Sequence, residues 1–376
     1  MFRDASSFDY TYAPILNVRP AEMTSLEELP EIEKNRILPV FPLKGWVGSE
    51  NLVNTIKRIE KSIGARYWIA DINKSFLHDH EEYTDGSRNY PRAVFFEIEQ
   101  LLSAENGYEN WCSFISNTQN AIPTLQLGVL DNLDVQISRF ADLDRGIVVR
   151  FQMKQMDRGG VERVLETLRA RRVDNLFLMF DFGQVDGSIV NNLSLIKAQI
   201  ESGISGLGNP LVAFSASSFP SDFSGYNRGE QTIHERRVFN GLRNEISDCW
   251  LIYSDRGGTR ANRLGGGGAH PSPRIDYPQK NVWYFLREEF SDPRAPTKEE
   301  KASLYSYLAQ QIQKETYWQE NLHVWGTQQI QLTAGGDDFG IRSPSRATAV
   351  RLNIHMHHQI NYDAVEMVNT DEEWVD

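Results

Sequence analysis

Cysteine is scarce in this sequence: only Cys112 and Cys249 occur among 376 residues. The two lie far apart and fit neither the spacing of a zinc site nor that of a redox pair. We therefore expect two buried free thiols in a reducing cytoplasm. No metal site is predicted, and the sequence indicates no particular cofactor.

Long apolar runs and excess positive charge are also missing. No stretch approaches the roughly eighteen apolar residues of a membrane span, and residues 1–4 do not begin a secretory signal. We therefore predict a cytoplasmic protein without a membrane partner. The formal net charge of −12 repels nucleic-acid phosphates and disfavours general nucleic-acid binding. A local basic pocket remains compatible with this charge.

Short apolar runs separated by helical patterns dominate what is present. With 40% hydrophobic and 11% aromatic residues, the chain has the composition of a globular protein with a sizeable core. The predicted strands cover residues 12–18, 37–43, 66–72, 121–127, 146–151, 175–181, 210–215 and 249–255. The helices predicted among them cover residues 24–35, 50–63, 93–104, 161–172, 189–200 and 232–246.

This alternation predicts a (β/α)₈ TIM barrel. Parallel strands need crossover connections, and nearly continuous hydrophobicity is typical of strands covered on both faces. Eight units in about 250 residues match the usual size of such a barrel. The main alternative is a doubly wound open sheet, which normally has a glycine-rich turn after its first strand. Residues 19–22 contain no glycine, so the barrel is favoured.

The pattern changes after the eighth predicted strand. We predict a barrel core over residues 1–260 and an additional C-terminal part over residues 261–376. A glycine run at residues 265–268 opens this part. A hairpin over residues 274–277 and 282–285 follows, with helices over residues 297–318 and 346–360.

In barrels of this type, binding sites form where the carboxyl ends of the strands converge. From these positions we predict ligand-binding residues that hold an anionic group, since arginine suits bidentate contact with phosphate or carboxylate. They are Arg19, Lys44, Arg150, Ser215 and Arg256. The candidate catalytic residues, as general base or magnesium ligand, are Asp71, Asp181 and Asp255. The alternative is that these charges pair with one another and fill the barrel end.

Two further clusters invite a chemical interpretation. Histidines at 355, 357 and 358 suggest a metal site, but helical spacing turns His357 away from the other two and no third ligand is evident. A hydrogen-bonded histidine cluster is therefore favoured. The serines at 215, 217 and 218 have no evident histidine partner except His234, so a serine-hydrolase interpretation lacks support.

Several segments, in a consistent order, resemble the "beta" family of phage-related and bacterial mobile-element proteins. They are residues 12–16 with Arg19 and Glu22, then residues 217–220, 253–257, 273–277, 283–287 and 353–358. Ala21 stands where the family signature has a glycine. The resemblance implies a barrel-like protein that works in phage–host or anti-phage conflict beside a partner, which is either encoded nearby or a phage protein.

Three functions remain open at this point. The first is a defence component whose barrel mouth binds a nucleotide or another phosphorylated ligand. The second is a non-enzymatic module that docks a partner protein through aromatic anchors; the candidates are Trp46, Tyr83, Tyr226 and Trp283. The third is a metabolic TIM-barrel enzyme, which the fold alone permits.

Overall fold

The structure is a computed structural model. It describes residue 2 and residues 9–78, 82–84, 87–220, 222–223, 225–261 and 270–364. The glycine run at residues 265–268, which was predicted to open the C-terminal part, lies outside these residues.

The first half of the chain contributes a parallel sheet of three strands. They are β1 (Val40–Leu43), β2 (Trp68–Ile72) and β5 (Ala121–Pro123), in the order β1-β2-β5. Val40 pairs with Ile69, and Ile69 with Ile122. All residues of the three strands are buried, as their nearly continuous hydrophobicity predicted. A short antiparallel pair, β3 (Glu82–Thr84) and β4 (Ser87–Asn89), follows β2.

A second parallel sheet has four strands in the order β10-β8-β7-β6. Their bounds are β6 (Ile147–Gln152), β7 (Leu176–Gln184), β8 (Leu211–Ser217) and β10 (Trp250–Ser254). The register pairs Gln152 with Asp181 and Asp181 with Ser215, so the polar ends of three strands lie side by side. The prediction of a mixed α/β protein with parallel sheets is therefore confirmed.

Isolated parallel bridges join the two sheets at both sides. Thr124 pairs with Val148, next to the ends of β5 and β6. On the other side, Tyr12 pairs with both Ile37 and Tyr253, so the segment around residues 12–15 lies between β1 and β10. The Ala13 amide donates to the Tyr253 carbonyl at 2.8 Å. The predicted first strand is thus present only as bridges within residues 12–15.

Helices alternate with the parallel strands and pack against them in one hydrophobic cluster. Their bounds in the first part are α1 (Pro20–Glu27), α2 (Glu31–Lys34), α3 (Leu52–Ile63), α4 (Ser75–His78), α5 (Ala93–Leu102), α6 (Glu109–Asn117), α7 (Leu133–Ala141), α8 (Arg158–Ala170), α9 (Leu193–Ile204) and α10 (His234–Glu245). Helix α3 begins where the Asn51 side chain accepts from the Asn54 amide and ends at Gly64, whose φ of 67° favours glycine. Helices α6 and α7 were not predicted, although both bury an apolar face.

Buried strand side chains alternate between two clusters. One cluster lies between the strands and the helices and includes Leu16, Phe41 and Val149. The other takes side chains from all eight pairing segments: Ala13, Ile15, Leu38, Val40, Ile69, Ile122, Val148, Phe177, Met179, Leu211, Ala213 and Ile252. This two-residue alternation is the geometry of β-strands buried on both faces.

The C-terminal part contributes two strands of an antiparallel sheet and three helices, and the third strand of that sheet comes from before residue 261. The sheet has the order β11-β12-β9, formed by β9 (Arg228–Thr232), β11 (Arg274–Pro278) and β12 (Val282–Arg287). The helices are α11 (Lys298–Ile312), α12 (Trp325–Ala334) and α13 (Pro344–Ile360). The hairpin, α11 and α13 lie near their predicted positions, whereas β9 and α12 were not predicted. Across the described residues, no helix is both long and apolar enough to span a bilayer.

Candidate functional site

Four of the predicted site residues meet at the carboxyl ends of the parallel strands. Arg150, at the end of β6, donates from Nη1 to Asp71 Oδ2 at 2.6 Å. It also donates from Nη2 to Asp181 Oδ2 at 2.6 Å, and from Nε to the same oxygen at 2.9 Å. Arg256, which follows β10, donates to that Asp181 oxygen at 2.6 Å. Four residues from four separate segments thus form one buried ion-pair network.

The network explains the direction of each pKa change. Burial alone raises the pKa of Asp181, but Arg256 and Arg150 outweigh burial and lower it to about 2. Burial lowers the pKa of Arg150, yet Asp181 and Asp71 raise it above its ordinary value. Burial lowers the pKa of Arg256, with a contribution from the neighbouring Arg150. Asp181 is therefore an ionised anchor for two arginines and is not poised to take up a proton near neutral pH.

A cavity of about 160 Å³ opens beside this network. Asp71 and Arg150 line it, together with Lys74, Thr124, Gln126, Gln152 and Gln155. Thr124 and Gln126 are each only 2% exposed, and among the described residues Thr124 Oγ1 and Gln126 Nε2 have no hydrogen-bond partner. Buried polar atoms of proteins are normally satisfied. These two atoms therefore mark positions where a ligand or ordered water is expected to bind.

Further unpartnered groups lie on the neighbouring strands. Ser215 pairs in register with Asp181 on one side and with Ser254 on the other. In the part of the chain that the structure describes, neither buried serine Oγ has a hydrogen-bond partner, and the same is true of Arg256 Nε. The predicted ligand-binding residues Arg150, Ser215 and Arg256 are thus brought together around Asp181.

Asp255 belongs to a separate buried cluster. Its Oδ2 lies 2.6 Å from His355 Nε2 and accepts from the Tyr253 hydroxyl at 2.9 Å. Its Oδ1 accepts from the Gly257 amide at 2.7 Å and from the Tyr12 hydroxyl. Burial raises the pKa of Asp255, but the hydrogen bonds and the nearby His355 lower it overall. Both oxygens are engaged and the side chain is buried, so this geometry is that of a structural carboxylate.

Arg19 and Lys44 lie near another acidic residue. Burial raises the pKa of Glu22 in α1, whereas Arg19, Lys44 and Arg351 oppose that rise. Arg19 is exposed and precedes α1, and Glu22 is only 3% exposed. The positive charges that act on Glu22 therefore come from two places. Arg19 and Lys44 follow the first two predicted strands, and Arg351 lies in α13.

The structure also identifies a polar pair that the sequence did not suggest. Glu235, in α10, accepts hydrogen bonds from the Ser218 amide at 3.1 Å and from the Ser218 hydroxyl. Burial raises the pKa of Glu235 to about 8, with a contribution from the charge of Asp255. His234 also contacts Ser218, but through its backbone amide, at 3.1 Å. Of these two residues, Ser218 alone was considered from the sequence. Glu235 was not, because a glutamate in an amphipathic helix is usually exposed to solvent.

The C-terminal histidines are used individually. His357 Nδ1 lies 2.6 Å from a Glu33 carboxylate oxygen, and His355 contacts Asp255 as described. Burial lowers the pKa of His358 to about 3, with a smaller effect from His357. Within the described residues, no group of three or more His, Cys, Asp or Glu side chains is arranged to hold a metal ion.

The candidate docking aromatics are divided between core and surface. Trp283 is 2% exposed and packs against Phe219, so it is a core residue and its predicted role as a surface anchor is wrong. Trp46 packs partly buried against the main core, whereas Tyr226 is 65% exposed. The side chain of Tyr83 lies outside the described residues.

Two comparisons with known proteins match nearly the whole chain. The Beta protein family model matches residues 12–361. The chain is 27% identical to "Protein beta" of Enterobacteria phage P4 over 372 residues, which cover 94% of this chain and 93% of that protein. A solved trimodular endoglucanase of the GH5_4 subfamily is similar at 10% identity and a TM-score of 0.39, over 68% of this chain and 57% of that one.

Proposed function

This chain belongs to the Beta protein family, and from that premise we propose that it is a phage-related (β/α)₈-barrel protein that binds a small acidic ligand. The proposed site is the cavity at the carboxyl ends of the strands. The observation that carries the proposal is the pair of unpartnered buried polar atoms, Thr124 Oγ1 and Gln126 Nε2, in a cavity lined by Asp71 and Arg150.

The barrel is supported by the order of pairings. The segment at residues 12–15 pairs with β1 on one side and with residue 253 of β10 on the other. Between them lie β1-β2-β5, the bridge from Thr124 to Val148, and β6-β7-β8-β10. Every one of the eight segments then has two parallel neighbours. The buried cluster with side chains from all eight has the composition of a barrel interior.

The charge around the cavity favours an acidic ligand. Lys74, Arg150 and Arg256 supply three positive charges, and Asp71 and Asp181 supply two negative ones. One positive charge is left over. Because Arg150 is already held by two carboxylates, Lys74 is the cation best placed to meet the ligand. A cavity of about 160 Å³ is smaller than the roughly 300–1,000 Å³ of drug-sized sites, which suits a small organic acid.

If the ligand is also a substrate, Asp71 is the carboxylate that would act on it. Its side chain is 11% exposed, against 2% for Asp181 and 1% for Asp255. Asp71 lines the cavity, and Arg150 holds its Oδ2. Asp71 is thus the candidate general base, while Asp181 positions Arg150 and Asp255 is a structural carboxylate of the separate cluster.

The biological setting that we propose is phage–host conflict, with a protein partner encoded nearby or by a phage. The support is the family membership and the relative in phage P4. The exposed Tyr226, close to β9, is the aromatic that favours partner docking. Loss of the partner in a Tyr226→Ala pull-down, with the partner retained by a Tyr307→Ala control at another exposed tyrosine, would support docking there.

The ligand site is tested with substitutions that remove the two unpartnered atoms and keep the size of the side chains. Thr124→Val and Gln126→Leu replace buried unsatisfied groups with apolar groups of similar size, so we expect the fold to remain. Calorimetric titration with a panel of small mono- and dicarboxylates should show binding to the wild-type chain, weakened at least tenfold in each variant. Thr167→Val, on α8 and outside the cavity lining, is the matched control. The proposal fails if no acid binds, or if the variants bind as the wild type does.

A further inference from the structure

A second cavity, of about 230 Å³, lies between the C-terminal sheet and α13. Its charged and phenolic lining includes Arg260, Arg274, Asp276, Arg287, Tyr305 and Arg351. It shares no lining residue with the cavity at the strand ends. None of these residues is part of the function proposed above.

Positive charge is in excess around this second cavity. Four arginines line it, against the two carboxylates of Asp222 and Asp276, which leaves two positive charges. Further charges act on these residues: Glu289 pairs with Arg287, and Glu22 acts on Arg351. Arg19 and Lys44 offset the charge of Glu22, and Glu289 is 63% exposed, where solvent screens its charge, so the excess of two among the lining residues remains.

Two of the arginines are fixed in place before any ligand arrives. Arg274 Nε lies 2.8 Å from Asp276 Oδ1, and Arg351 Nη1 lies 2.5 Å from Asp276 Oδ2. The Arg274 guanidinium stacks 3.6 Å from the ring centre of Phe223, and that of Arg351 lies 4.2 Å from the ring centre of Phe219. Ion pairs and aromatic faces together hold these guanidiniums in a preorganised arrangement.

Part of this arginine cluster lacks a partner. Arg351 is only 5% exposed, yet its Nε makes no hydrogen bond to any residue that the structure describes. Burial lowers the pKa of Arg351, and Arg274 lowers it further. Burial and the charge of Arg274 also lower the pKa of Arg260. The guanidiniums therefore repel one another in a poorly solvated place, and a bound anion would relieve that repulsion.

The orientation of α13 adds to the positive potential. Pro344, Ala347, Thr348 and Arg351 line the cavity along one side of its first turns. Ser343 caps the helix by accepting from the Arg346 amide at 3.2 Å. The partial positive charge at a helix N-terminus favours anions, here in addition to four arginine side chains.

We propose that this arginine-lined cavity is a binding site for a dianionic phosphate group, either inorganic phosphate or the phosphate of a small monoester. Two surplus charges match a dianion, and the forked guanidinium donors match phosphate oxygens. A volume of about 230 Å³ accommodates a phosphate with a short substituent but falls below the roughly 300 Å³ of the smallest drug-sized pockets.

The test is calorimetric titration of the full chain with inorganic phosphate and with glycerol phosphate, at constant ionic strength set with chloride. We expect binding of at least one of them. The double variant Arg260→Gln/Arg287→Gln removes two cavity charges and spares both ion pairs of Asp276, so affinity should fall at least tenfold. Arg171→Gln, an exposed arginine paired with Asp134, is the matched control and should bind as the wild type does.

The two phosphate sources give different outcomes. Tighter binding of glycerol phosphate assigns the site to a monoester, and equal or weaker binding assigns it to the free ion. No heat with either ligand, or undiminished binding in the double variant, overturns the proposal. If circular dichroism shows that the double variant does not fold, Ala347→Leu fills the cavity without changing charge and should abolish binding. Gln126→Leu should leave phosphate binding intact, which separates this site from the one at the strand ends.

Discussion

The Nε2 atom of His355 lies 2.6 Å from a carboxylate oxygen of Asp255, although the two residues are 100 positions apart. This contact joins α13 to the end of β10. The indole N–H of Trp283 faces His355 Nδ1 at 3.3 Å, which favours the tautomer that donates from Nε2 to Asp255. The last helix of the chain thus completes the hydrogen bonding of a buried carboxylate at the carboxyl end of the strands.

Removing this donor should destabilise the protein. His355→Leu leaves Asp255 with one donor fewer in a fully buried place. We expect the free energy of unfolding to fall by about 2–3 kcal/mol, the cost of a buried hydrogen-bonding group left unsatisfied. Urea unfolding measures this loss, and His323→Leu at an exposed position is the control. A loss equal to that of the control would show that the contact contributes nothing.

Arg150 holds two aspartates, so its removal should cost more. Arg150→Met leaves Asp71 without its ion pair and Asp181 with only Arg256. Breaking a buried ion pair from one side typically costs about 3–5 kcal/mol, and we expect a loss of that size in urea unfolding. Adding Asp181→Asn to Arg150→Met should recover part of it. Strictly additive losses would contradict the network.

Low pH should destabilise the folded protein by protonating Asp181. Because its pKa in the folded protein is about 2, below the ordinary 3.8, its ionised form stabilises the fold. That stabilisation is complete above about pH 4 and is lost as the pH falls towards 2. It amounts to about 2 kcal/mol. Unfolding measured from pH 5 to pH 2 should show a shallower pH dependence for Asp181→Asn, and an unchanged slope would rule out this assignment.

The contribution of Glu235 to stability should depend on pH with the opposite sign. Its pKa is raised from 4.5 to about 8 by burial, so the folded protein retains a proton that the unfolded chain releases. The stability contributed by Glu235 should therefore decrease as the pH rises from about 4.5 to about 8. Glu235→Gln keeps an oxygen for Ser218 and removes the titration. Relative to wild type, this variant should gain stability between pH 5 and pH 8, whereas parallel curves would contradict the prediction.

The strands and most helices could be predicted because their apolar periodicity is local. The runs that became β2, β6, β7, β8 and β10 were located to within three residues at each end. Helices α6 and α7 were missed because polar stretches of the chain surround them. Strand β9 is mostly exposed and is defined by its pairing with β12, a partner about 50 residues away. Its own residues, Arg228–Thr232, carry no strand pattern.

The candidate site was predicted only in part. Arg150, Asp181 and Arg256 follow directly from the convergence of parallel strand ends. The sequence allowed pairing among these charges as an alternative but could not show that Arg150 pairs with Asp71 and Asp181, because pairing across strands depends on side-chain geometry. The arginine-lined cavity was missed for a similar reason. Its four arginines come from a loop, both strands of the hairpin and α13, and only packing brings them together.

The most direct test of the central claim is native mass spectrometry of the gently purified chain, compared with the Thr124→Val/Gln126→Leu double variant. We predict that the wild-type protein carries a small acid as an additional mass and that the double variant, folded by circular dichroism, lacks it. Such an adduct would place the ligand at the carboxyl ends of the strands. The same carboxylic-acid adduct on both proteins, or none on the wild type even with the carboxylate panel added, would contradict the account.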